Sequence, residues 1–172
     1  PGTERVYNLT VEGEHVYYVS ELGLLAHNNG CVSGPTEGIV LKVRFDEGYD
    51  RASFLRKVGQ LDVQIRKGNA ASNIPHGVAD SARSSATRSY RNAVERRADT
   101  LFANNPTARQ NAFNRLNASD IDHILDLQLG GQNVRRNLKS LHSATNQGIG
   151  RQIQSQLPVG RRVPIVGIEI VP

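Results

Sequence analysis

One cysteine, Cys31, is all the thiol chemistry that 172 residues carry. It excludes an intramolecular disulfide and any zinc staple built on a CxxC pair. Methionine and tryptophan are absent, and a chain that opens on Pro1 instead of methionine is expected to be a piece of a longer one. Aromatics make up 5% and hydrophobic residues 38%, enough for a modest core. No apolar run approaches the length of a membrane span, so no membrane partner is expected; no signal peptide stands at the start either. What is present is positive charge: the net charge is +5 and the pI about 9.7. That balance fits partners bearing phosphates, and it fits equally a solvated basic surface. The length allows one ordinary domain with an appendage.

Residues 1–29 alternate apolar and polar side chains around Gly13 and Gly23 and read as strands. Residues 30–37 turn to Gly, Ser and Pro, the composition of a linker. "GIVLKVRF" (38–45) reads as a strand, and "YDRASFLRKVGQL" as a short helix capped by Asp50. Residues 68–77 read as loop. Asp80 or Ser81 can cap a helix to about Leu101, with Ala86, Tyr90, Ala93, Val94 and Leu101 on one face and Arg83, Arg88, Arg91 and Arg96 mostly elsewhere, as a basic outer surface. Those arginines are as readily a solvated face as a nucleic-acid contact. Asn105-Pro106 starts a further helix that ends near Asn117. "VPIVGIEIV" (163–171) is a strand expected to share one small sheet with "GIVLKVRF".

The opening pieces "VYNLTVEG", His15 and "GLLAHNN" resemble the C-terminal end of HINT domains, the self-cleaving relatives of inteins. The resemblance implies a cleavage junction at His27-Asn28, where the Asn side chain attacks its own carbonyl with help from the His. The family's nucleophile segment is missing, so a complete HINT site is not expected here.

The richest stretch is "DIDHILDLQLGG" (120–131), followed by "QNVRRNLKSLHSATNQGIG". The expected order is a strand carrying Asp122 and His123, a glycine loop, a strand opening at Asn137, and a helix, capped by Ser143, that carries Asn146. These residues, in this order, resemble the HNH or ββα-metal endonucleases of the Asp-His, Asn, Asn type, over about residues 120–150. The resemblance implies an α+β fold: an HNH core with additional helices and a small sheet, after a β-rich HINT remnant, with 38–172 as the nuclease domain.

It also implies roles. Asp122 and Asn146 would hold one divalent metal, since hard cations take oxygen ligands. His123, with a pKa near neutrality, would take the proton of the attacking water. Asn137 would hold the loop and so the imidazole. Arg135, Arg136, Lys139 and Arg151 would contact backbone phosphates without reading sequence. Many family members bind a structural zinc through cysteines that this chain lacks, so no structural zinc is expected; an Asn in the last ligand position argues for Mg²⁺. His142 would be peripheral, and His15, His27 and His76 have no clear place in such a site.

A HINT-like tail before a nuclease-like domain resembles the C-terminal end of bacterial polymorphic toxins. That implies a nonspecific DNase toxin of interbacterial competition, delivered from the producing cell and acting in the target-cell cytoplasm, with a cognate immunity protein as partner. An RNase of the same fold, a HINT-type self-processing fragment and a nucleic-acid-binding module without activity remain open alternatives.

Overall fold

The computed structural model describes residues 37–172 throughout and, before them, only the backbone of two strands, β1 (Val16–Val19) and β2 (Leu24–His27), which pair antiparallel. Asn28, Cys31, the His27 side chain and most of the expected linker lie outside the described residues. The chain divides into two compact units, Pro1–Pro35 and Thr36–Pro172, and the second contains the site.

That unit is α+β. Its elements run β3 (Ile39–Arg44), α1 (Arg51–Arg66), α2 (Asp80–Leu101), α3 (Pro106–Asn117), β4 (Ser119–His123), β5 (Leu138–His142), α4 (Ser143–Gln154) and β6 (Ile165–Val171). Local chemistry sets several boundaries. The Asp50 carboxylate accepts the Ser53 amide at 2.7 Å and caps α1. Asn105 accepts the Ala108 amide at 2.9 Å, with Pro106 pre-set for the first turn of α3. The start of α2 differs from expectation: Ala79 precedes it and makes no side-chain cap, so Asp80 is the first helical residue. Ser143 likewise is the first residue of α4, not its cap, because its hydroxyl is turned to Asp120.

β3 and β6 pair in parallel, with Leu41 opposite Ile168. Leu41 and Val43 face inward and are fully buried. Phe54, Val58, Leu61 and Ile65 recur at helical spacing along α1 and fill the core against them, with Ile149 and Ile153 from α4. Each such side chain contributes roughly 1.5–3 kcal/mol by leaving water. The outer edge of β3 is covered by side chains in place of a strand. Gln156 accepts from the Lys42 amide and donates to its carbonyl, at 2.8 and 2.7 Å, and Gln152 does the same for Arg44 at 2.6 and 3.1 Å. Gln152 on α4 and Gln156 in the turn just past its end are four residues apart, so their amides fall in step with alternate residues of the strand.

α2 is packed thinly. Only Ala98 of this helix is buried, and Leu101, expected on an inward face, is 63% exposed. Its tether is Arg91, whose guanidinium donates to the carbonyls of Leu116 at 3.0 Å and Ser119 at 2.6 Å, holding α2 to the junction of α3 and β4. Arg83, Arg88 and Arg96 are exposed, as expected of a basic outer surface, and Arg83 and Arg88, with the half-buried Arg91, also line a groove.

Candidate active site

β4 and β5 form an antiparallel hairpin with Asp122 opposite Lys139 and His123 opposite Leu138, and α4 follows β5 directly. Asn137 governs the connection. Its Oδ1 accepts the Leu125 amide at 3.0 Å, and its Nδ2 donates to the carbonyls of Leu125 and Gln132, each at 2.9 Å. One carboxamide thus closes both ends of the loop that follows His123. Each glycine of the pair has its own reason. Gly130 adopts φ +86°, a left-handed conformation that ends the short 3-10 turn Leu127–Leu129. A methyl at Gly131 would run into the Leu125 carbonyl.

His123 is 7% exposed. Its Nε2 lies 3.0 Å from Oδ1 of Asn133; with Nε2 as the donor, Nδ1 carries the lone pair. Burial holds the imidazole below its ordinary pKa, against the smaller pull of the Asn133 hydrogen bond and the Asp126 charge. It is therefore neutral near pH 7.

Asp122 is also buried, and its Oδ2 accepts from the ammonium of Lys57 at 2.6 Å. The same ammonium donates to the His123 carbonyl at 2.6 Å and lies 2.9 Å from Oδ2 of Asp126. That Asp126 oxygen is buried and meets Lys57 as a close ion pair. Burial pushes the Asp122 carboxyl up, to about 6, opposed by the Lys57 charge and reinforced by Asp126. Burial also works against the Lys57 ammonium, but the two carboxylates outweigh it and hold the lysine protonated. Lys57 thus stands between two acidic side chains.

Asn146 faces a different carboxylate. Its Nδ2 donates to Oδ2 of Asp120 at 3.1 Å, and Asp120 also receives Ser143 at 2.9 Å and Gln147 at 3.2 Å. Partial burial works against the Asp120 charge, and these three donors outweigh it, holding the carboxyl below its usual range. Among the described residues no group of three or more His, Cys, Asp or Glu side chains is arranged around a metal position. The donor chemistry nevertheless suits a hard divalent cation. With Nδ2 committed to Asp120, Asn146 is left with its carbonyl oxygen, and Asp122 keeps the oxygen that Lys57 does not hold; both residues line the same groove.

That groove has a volume of about 1210 Å³. Asp120, Asp122, His123 and Asn146 belong to its lining, and so do Arg83, Arg88, Arg91 and Arg151. His76 joins them, giving a place to a histidine that had none in the sequence. Of the four basic residues expected to meet phosphates, only Arg151 lines the groove. Arg135 sits over the Tyr90 ring, 5.7 Å from its centroid, and Arg136 donates to Gln132 at 3.0 Å. Lys139 is exposed on β5. His142 is close to Thr145, 3.2 Å from Nδ1 to Oγ1, away from the groove lining.

Lys57, Asp120, Asp126 and Asn133 are site residues that sequence reasoning missed. Asp120 alone had a signal: it lies two residues before Asp122, on the same face of a strand. No known family model, curated protein or solved structure matches the chain.

Proposed function

We propose that the unit from Thr36 to Pro172 is a metal-dependent endonuclease that hydrolyses phosphodiester bonds, with DNA as its substrate. One observation carries this reading: a neutral, oriented imidazole, His123, lies in a groove walled by arginines from α2 and α4. The arginines would neutralise the backbone phosphates of a strand lying in the groove, a contact that positions without reading sequence. His123 would accept a proton from the attacking water at Nδ1, the nitrogen left free when Nε2 donates to Asn133. Asn137 would hold the backbone under the imidazole and Asn133 its ring. Asp122 and Asn146 would bind one Mg²⁺, whose chemistry is to neutralise the scissile phosphate and the leaving oxygen; Asp120 would keep the Asn146 carbonyl turned toward it.

In this reading the protein is a toxin of interbacterial competition, released near His27-Asn28 from a HINT-bearing carrier and blocked in the producing cell by an immunity protein that covers the groove. Incubation of the purified chain with plasmid DNA and with structured RNA, in Mg²⁺ and in EDTA, tests it. Mg²⁺-dependent nicking of DNA by the wild type, lost in His123→Ala, is the expected result. Binding without cleavage at any divalent metal would turn the reading to a nucleic-acid-binding module, and preference for RNA to an RNase.

A further inference from the structure

Lys57 lies on the stripe of α1 that carries Phe54, Leu61 and Ile65, and its side chain is 1% exposed. An apolar residue there would simply extend the core. Replacing buried ion pairs by packed apolar groups is often neutral or stabilising, so fold stability alone gives no reason for a lysine. What the position does provide is reach. From α1 the ammonium touches three points on the segment that bears His123: Asp122 Oδ2, the His123 carbonyl and Asp126 Oδ2. The first and last of these lie on either side of the imidazole in the chain, and the middle one is its own backbone.

We propose that Lys57 is a tethered counter-cation of the site: a positioning residue that fixes Asp122, His123 and Asp126 against α1 and limits how tightly Asp122, with Asp126 beside it, would hold a divalent cation. The charge arithmetic follows from the geometry. Two carboxylates in a pocket shielded from water would attract a divalent ion strongly. With one ammonium already between them, Asp122 offers the ion a single oxygen and a partly neutralised charge. A divalent ion would then be held loosely enough to exchange, while Asp122 and the imidazole would stay in place with or without it. No bond to the substrate is implied; Lys57 acts through the residues it holds.

The inference rests on the nuclease reading for its catalytic half and on the geometry alone for its metal half, and one variant separates the two. Lys57→Met in the full chain keeps the length of the side chain and removes the charge. Its Mn²⁺ affinity, read by calorimetry or by the electron paramagnetic resonance of free Mn²⁺, should rise about tenfold or more above wild type, because a charge at contact distance in a shielded site is worth at least that factor. Its kcat on plasmid DNA at saturating metal should fall about tenfold or more with KM little changed. A lysine that only filled the core would move neither quantity in these opposite directions. Unchanged or weakened Mn²⁺ affinity in a folded Lys57→Met overturns the proposal, and so does an unchanged kcat in a protein that cuts DNA. A wild type that cuts nothing sinks the nuclease reading and leaves the Mn²⁺ comparison readable. Should Lys57→Met fail to fold, Lys57→Met with Asp126→Asn removes one buried anion together with the cation and so restores the wild-type charge sum: its Mn²⁺ affinity should stay near wild type while its kcat falls about tenfold or more, and a Mn²⁺ affinity raised about tenfold, or an unchanged kcat in a protein that cuts DNA, overturns the proposal. Failure of both to fold would assign Lys57 to the core and overturn the proposal.

Discussion

Asn146 donates its side-chain amide to Asp120, not to Asp122, at 3.1 Å. The carboxylate nearest the base in sequence is committed instead to Lys57. Two acids two residues apart on one strand therefore have separate tasks: Asp120 orients an amide, and Asp122 shares a buried ammonium.

The division predicts different consequences for the two acids. Asp120→Ala should lower Mg²⁺ affinity and cleavage by about 10–100-fold, the usual effect of losing a group that orients a metal ligand, and Asp120→Asn should do less. Asp122→Ala should cost more, since it removes a proposed metal ligand and leaves Lys57 with Asp126 and the His123 carbonyl. Titration of plasmid nicking against Mg²⁺ compares them; an Asp120→Ala enzyme with wild-type metal dependence would show that Asn146 needs no orientation.

His123→Ala should lower cleavage by about a hundred- to ten-thousand-fold with the fold intact, leaving residual nicking at high enzyme concentration. The pH profile follows from the direction of the shift. The charged groups that face the imidazole are Asp126, Lys57 and Arg83, but burial dominates and lowers its pKa. The base form thus persists below the ordinary imidazole range, and the acid limb of kcat/KM should fall below about pH 6.5. The unfolded chain binds the proton more readily, so this group's contribution to stability is present above that range and lost as pH falls through the folded pKa. An acid limb above pH 7 would show that some other group is the base.

Asn137→Ala should destabilise the protein by about 1–3 kcal/mol, since it strands Leu125 and Gln132 backbone groups that now share one carboxamide. Cleavage should drop less than in His123→Ala, because the imidazole keeps Asn133 and the Lys57 contact to its carbonyl. Thermal melting and nicking assays on the two variants give the comparison; equal loss in both would give Asn137 a more direct part in the chemistry.

Removing residues 163–172 should abolish cooperative unfolding. It takes Ile165 out of the core and leaves β3 without its only strand partner among the described residues. An unchanged thermal transition would reduce β6 to an ornament.

Elements defined by local chemistry were legible beforehand: the Asp50 and Asn105 caps, the strands β3 and β6 as individual strands, and the strand, loop, strand and helix around His123 are all written in neighbouring residues. What was hidden depends on distant partners. Nothing near Lys57 says that its ammonium ends beside residues 122–126, because the hydrophobic period of α1 predicts only which way the side chain points. The arginines of α2 had the opposite ambiguity. Periodicity separated them from the apolar face, yet with only Ala98 buried that face is too thinly packed to mark the inside, and the arginines line the groove. Asn133 gave no signal, since an Asn two residues past a glycine pair is as good a turn residue as a hydrogen-bond partner.

The pairing of β3 with β6 has a consequence for synthesis. A ribosome delivers residues 39–44 long before residues 165–171, so β3 waits without a strand partner while α1, the hairpin and α4 emerge. Ile165 closes the core from the far end of the unit. A contact of such long sequence separation is slow to form and comes last. The groove's side chains, from Ile74 to Gln154, are therefore all synthesised before the strand that completes their packing, and any activity of the site is deferred until β6 docks.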